Sequence, residues 1–133
     1  MGAPQELPPL SEAQLEIMNV VWDRGDVTVG EVWKALSAGR RVARNTVLTM
    51  LTRLEEKGWL ERDSLEHAHR YRATVPRDAT LGTMISRLVQ TAFGGSAEGL
   101  LVALLHGRGV SKEEAARIRA MIDQAEKRGR RRS

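Results

Sequence analysis

The chain has 133 residues, 29% of them charged and only 4% aromatic, with a formal net charge of +4; that is about one domain's length. It contains no cysteine, which excludes a disulfide framework, a thiolate zinc site and a cysteine nucleophile. No apolar run approaches the roughly 18 residues a membrane span needs, and residues 1–10 show no signal-peptide pattern, so the expectation is a soluble, cytoplasmic protein.

Residues 1–10 hold three of the four prolines and are expected to form a flexible arm. Ser11-Glu-Ala-Gln14 is a capping-box pattern that opens a first helix with Leu15, Met18, Val21 and Trp22 inward, ending near Arg24-Gly25. Val27 is placed to add a very short strand. Thr28-Val-Gly-Glu31 is a second capping box, opening a helix with Val29, Val32, Trp33 and Leu36 apolar. A third helix follows Ala38-Gly39. Leu60 to Asp63 and Arg70 to Val75 alternate enough for two strands, joined by Ser64 to His69. Packing is the expected role of Trp22, Trp33 and Trp59.

Beyond Pro76 the pattern changes. Asp78 can cap a helix whose Leu81, Ile85 and Leu88 form an apolar stripe, broken at Phe93-Gly-Gly-Ser. Leu100, Leu101, Leu104 and Leu105 make a short, strongly apolar helix. Ser111 to Glu114 is a third capping box, and Ile118, Met121 and Ile122 lie inward on the last helix. Three such helices cannot bury these faces alone, so they are read as a dimerisation domain. The organisation expected is an arm at 1–10, a winged-helix domain at 11–76, a helical dimerisation domain at 77–126 and a disordered basic tail at 127–133. In fold class this is mostly α with a small β-hairpin.

Charge is unevenly spread. Residues 1–33 carry one arginine against six acids, residues 34–77 ten Lys and Arg against five acids, residues 78–126 five against six, and residues 127–133 five cations with no acid. The positive charge thus surrounds the third helix and the tail, which favours a polyanion such as nucleic acid. On the third helix, Val47, Met50, Leu51 and Leu54 recur at helical spacing and face a core. The opposite face shows Arg44, Asn45, Thr46, Thr49, Thr52 and Arg53, with no carboxylate before Glu55. A solvated face usually mixes Glu with Lys, whereas donors, small hydroxyls and guanidiniums suit phosphates and base edges. Two small helices, a longer one and a hairpin are the winged helix-turn-helix order, in which the third helix enters the major groove. Asn45, Thr46, Thr49 and Arg53 are assigned to base reading, and Arg40, Arg41, Arg44, Arg70 and Arg72 to phosphates.

Enzymatic and metal readings start with little. His67 and His69 would share a strand face, but no third ligand stands at zinc spacing, and His106 lies beside a helix end. No phosphate loop, nucleophile elbow or HExxH motif is found, and Ser11, Ser64 and Ser111 sit at caps or turns. No catalytic residue, metal or cofactor is expected. The alternatives kept open are a winged-helix protein–protein interaction module and a small-molecule-sensing repressor.

The runs Leu10 to Trp22 and Asn45 to Gly58, with His67-Ala-His-Arg-Tyr71, resemble the penicillinase and methicillin-resistance repressors (BlaI/MecI, with the copper-responsive CopY branch) over most of residues 10–125. The resemblance implies a homodimeric transcriptional repressor on an inverted-repeat operator with TACA/TGTA-type half-sites. It places Asn45, Thr46, Thr49 and Arg53 at the DNA contacts of the helix, and His69, Arg70 and Tyr71 at those of the wing. It also implies a membrane sensor protease as partner, with the bond Ala103-Leu104 at the cleavage position. Three departures stand out: Ala103-Leu104 replaces Asn-Phe, the CopY cysteine pairs are absent, and Glu66-His67 replaces Gly-Arg in the wing.

Overall fold

Reciprocal side-chain caps start the first two helices of the computed structural model, which describes residues 7–64 and 69–132. At α1 (Glu12–Arg24) the Ser11 hydroxyl accepts from the Gln14 N–H at 3.1 Å, and Gln14 Oε1 accepts from the Ser11 N–H at 3.0 Å. Thr28 and Glu31 repeat the exchange at α2 (Val29–Ser37), at 3.2 and 2.9 Å. Each box satisfies two amides that a helix start otherwise leaves bare. The third box is half-formed: Ser111 accepts from the Glu114 N–H, while the Glu114 carboxylate takes a hydrogen bond from Arg108.

The chain divides into two units, 1–83 and 84–133. The division falls inside α4 (Arg77–Phe93), later than the composition change at Pro76. In the first unit, α3 (Arg44–Glu56) is followed by β1 (Leu60–Asp63) and β2 (Arg70–Ala73). The strands are antiparallel, with Leu60 opposite Ala73, Glu61 opposite Arg72, Arg62 opposite Tyr71 and Asp63 opposite Arg70. Val27 adds a bridge on the other side of β2, exchanging both backbone hydrogen bonds with Tyr71 at 2.7 and 3.0 Å.

One core holds this unit together: Ile17, Met18 and Val21 of α1, Val27, Val32 of α2, Val47, Leu51 and Leu54 of α3, then Trp59, Leu60 and Tyr71. The stripe on α1 is Gln14, Ile17, Met18 and Val21, whereas Leu15 is half-buried. The three tryptophans pack on or within this core, and each indole N–H also holds a connecting segment by its carbonyl. Trp59 donates to Pro8 O at 2.8 Å, Trp33 to Val42 O at 2.7 Å, and Trp22 to Val75 O at 2.9 Å. Residues 7–10 are therefore docked rather than loose: Leu7 and Leu10 pack on the core, and Pro9 O accepts from Lys57 Nζ.

The second unit comprises the rest of α4, α5 (Ala97–Gly107) and α6 (Lys112–Arg132). From Leu81 onward no described residue is buried. α6 runs through the stretch expected to be a disordered tail. Arginine and lysine are good helix formers, cations suit a helix C-terminus, and Arg130 pairs with Glu126 one turn back. No single helix among the described residues is long and apolar enough to cross a membrane.

Candidate nucleic-acid interface

The face of α3 away from the core is where the sequence places the binding groups. Arg44, Asn45, Thr46, Thr49 and Arg53 are all exposed, while Val47, Leu51 and Leu54 lock the opposite face. The helix begins at Ala43 with no side-chain cap and no acid in its first turn. Its leading amides thus meet neither a capping side chain nor an acid, unlike those of α1 and α2. The Arg44 guanidinium lies over Gly30, 3.4 Å from where a β-carbon would stand, which sets it against the start of α2. At the other end, the Gly58 N–H donates to Glu55 O and the Trp59 N–H to Leu54 O, with Gly58 at φ +91°. This is a Schellman closure, and it turns Trp59 back into the core.

The structure sorts the expected phosphate contacts into two groups. Arg41, Arg44 and Arg53 have no ion-pair partner among the described residues. The others are engaged: Arg40 with Glu16 at 3.0 Å, Arg70 with Glu31 at 3.6 Å, and Arg72 with Glu61 at 3.0 Å and Asp63 at 3.9 Å. Arg62 of β1 likewise meets Glu55 at 3.7 Å. The wing is therefore locally neutralised, while the α3 cations stand free. The Glu31 carboxyl is held below its ordinary value, first by its hydrogen bond from the Thr28 backbone and also by the Arg70 charge. The Glu61 hydrogen bond makes Arg72 a still weaker acid than a free arginine.

One assigned contact is corrected. Tyr71 is 1% exposed and belongs to the core, so it does not present its ring to DNA. Side chains alternate along a strand, and with Arg70 and Arg72 outward Tyr71 must point in. His69 is exposed, whereas Glu66 and His67 lie outside the described residues. Among the described residues no three His, Asp or Glu side chains cluster to hold a metal. Two further residues share the outer face of α3: Leu48, 42% exposed, and Thr52, whose hydroxyl donates to Leu48 O at 2.9 Å. From sequence Leu48 is assigned to neither face, because it lies outside the row Val47, Met50, Leu51 and Leu54 and its side chain carries no hydrogen-bonding group. Its spacing relative to Val47 and Leu51 was the available signal.

Of the residues assigned to dimerisation, Leu81, Leu100 and Ile118 are half-buried, and Ile85, Leu88, Leu101, Leu104, Leu105, Met121 and Ile122 are exposed. Ala103 and Leu104 are exposed in the middle of α5. Their peptide bond lies in helix, so a protease that needs an extended strand would first have to open that turn.

A helix-turn-helix with a paired-strand wing and a third helix whose outer face carries no carboxylate before its last turn defines a winged-helix protein of the DNA-reading class. The penicillinase repressor family matches residues 10–124, and the chain belongs to that family. It is a family of transcriptional repressors, not of enzymes. The transcriptional regulator BlaI of Mycobacterium tuberculosis strain H37Rv is 33% identical over 114 residues, spanning 84% of this chain and 83% of that one. The penicillinase repressor of Bacillus licheniformis is 23% identical over 120 residues, spanning 90% and 94%. Among solved structures, the DNA binding domain of the repressor BlaI matches with a TM-score of 0.50 and 31% identity, over 56% of this chain and 90% of that one. The oxidized form of MarR from E. coli matches at 0.52 with 22% identity, over 87% and 75%, a likeness of fold alone.

Proposed function

We propose that this repressor acts as a homodimer on an inverted-repeat operator and blocks transcription by occupying it. Asn45, Thr46, Thr49 and Arg53 read base edges, and Arg41 and Arg44 take phosphates without first giving up an intramolecular partner. Arg40, Arg70 and Arg72 follow by exchanging an exposed carboxylate for a phosphate, and His69, exposed just before β2, adds a contact from the wing. The observation that carries this reading is the outer face of α3, which offers only donors, hydroxyls and one apolar side chain through Arg53. The homodimer is supported by the second unit, where no apolar residue of α4, α5 or α6 is fully buried within its own chain. A two-fold pair would set two α3 helices on half-sites one DNA turn, or a multiple of it, apart.

A gel-shift titration of the full chain tests this, using its own upstream DNA and a scrambled duplex at two salt concentrations. The expected result is a preference for the upstream duplex that persists at the higher salt. Equal affinity for both duplexes, collapsing together as salt rises, would reduce the interaction to its charge.

A further inference from the structure

Leu48 is the one apolar side chain exposed on α3. It is 42% exposed on the outer side of α3, in the i,i+4 row Arg44, Leu48, Thr52, beside the row Asn45, Thr49, Arg53. The core is already complete without it, since Val47, Leu51 and Leu54 are fully buried. The Thr52 donor is spent on Leu48 O at 2.9 Å, leaving its methyl group and an acceptor oxygen for anything outside. Leu48 and the Thr52 methyl thus form a small apolar spot flanked by hydrogen-bonding side chains and by two arginines with no ion-pair partner among the described residues.

The major-groove edges of the four bases carry one apolar group, the C5-methyl of thymine. The cations around the spot fit a polyanion, and a protein partner would find too little apolar area there to bind by. We propose that Leu48 is a specificity-determining residue of this repressor, packing on a thymine C5-methyl group in each half-site. The proposal rests on the DNA-reading function proposed above.

Replacing thymine by deoxyuridine deletes that methyl and leaves base pairing intact. Duplexes selected by the full chain from a random pool would carry this replacement at one thymine at a time, with binding followed by fluorescence anisotropy. Wild type is expected to lose about three- to fivefold in affinity at one or two positions per half-site, the order for burying one methyl group. Leu48→Ala should bind the unmodified duplex more weakly by a similar factor and should lose the response at those positions. Alanine favours helix and the site is outside the core, so folding is not at stake. Wild type indifferent to every replacement, or Leu48→Ala retaining the full response, would overturn the assignment. Failure to select any sequence from the pool would instead overturn the DNA-reading function itself.

Discussion

Gly58 has two reasons to be glycine. Its φ of +91° closes α3, and a β-carbon there would stand 3.2 Å from Leu7 Cδ2 in the docked N-terminal segment. The left-handed conformation alone costs an L-residue about 1–2 kcal/mol, and the Leu7 side chain would have to shift slightly to admit the β-carbon. Gly58→Ala should therefore destabilise the protein by roughly 1–3 kcal/mol in urea unfolding, and an unchanged midpoint would remove Gly58 as a structural requirement. Glu31 supplies a pH test. Its folded-state value is depressed, so its contribution is present above the unfolded value and is lost as pH falls through the folded one. Wild type should thus lose more stability than Glu31→Gln on acidification below the ordinary glutamate range, and parallel stability curves would show that the box contributes no linkage. The box itself was legible in the sequence because Thr and Glu stand three apart before an apolar run. The face of α1 was less legible: it runs through Gln14, a polar residue 9% exposed that caps Ser11 and accepts from Lys57 Nζ, so hydrophobicity alone pointed to Leu15 rather than Ile17.

Among the elements, α3 and the wing differ in how their charge is held. The sequence shows ten cations against five acids over residues 34–77 but not which of them meet. Register decides that. Glu61 stands directly opposite Arg72, which also reaches Asp63, while Arg70 meets Glu31 of α2 and Arg62 meets Glu55 in the last turn of α3, so every described arginine of the hairpin has a carboxylate. The same alternation buries Tyr71, which similarity of position alone would have put on the DNA. Exposed ion pairs are weak and are screened by salt, so phosphates can displace them at modest cost. The double substitution Glu61→Gln with Asp63→Asn should then raise affinity a few-fold on operator and random duplex alike, with a steeper dependence on salt. A gain confined to the operator, or none, would mean that the wing stays off the phosphate backbone. Arg53→Ala should do the reverse in kind, costing about 1–3 kcal/mol on operator and much less on random DNA if the guanidinium reads a base.

For the whole molecule the question is where one foldable part ends and what completes the other. Arg77 opens α4, yet its guanidinium donates to Asn19 O and Asp23 of α1 and lies 5.7 Å from the Trp22 ring. One turn on, Thr80 is 7% exposed. The start of α4 thus belongs to the DNA-reading unit, and a chain cut after Thr83 should fold while one cut just before Arg77 loses that anchor. The apolar groups of the second unit have no such anchor in their own chain, with Leu101 39% and Leu104 38% exposed on α5. Burying side chains of this size is worth about 1.5–3 kcal/mol each, which a second copy can supply. Leu101→Asp with Leu104→Asp should sediment as a monomer at concentrations where wild type sediments as a dimer, with its tryptophan fluorescence unchanged because all three indoles lie in the first unit. Its operator affinity should fall by about two orders of magnitude or more as paired engagement is lost, while single half-site affinity holds. A variant that remains dimeric with full operator affinity would move the seam off α5, and a wild type that sediments as a monomer would leave these faces to some other cover.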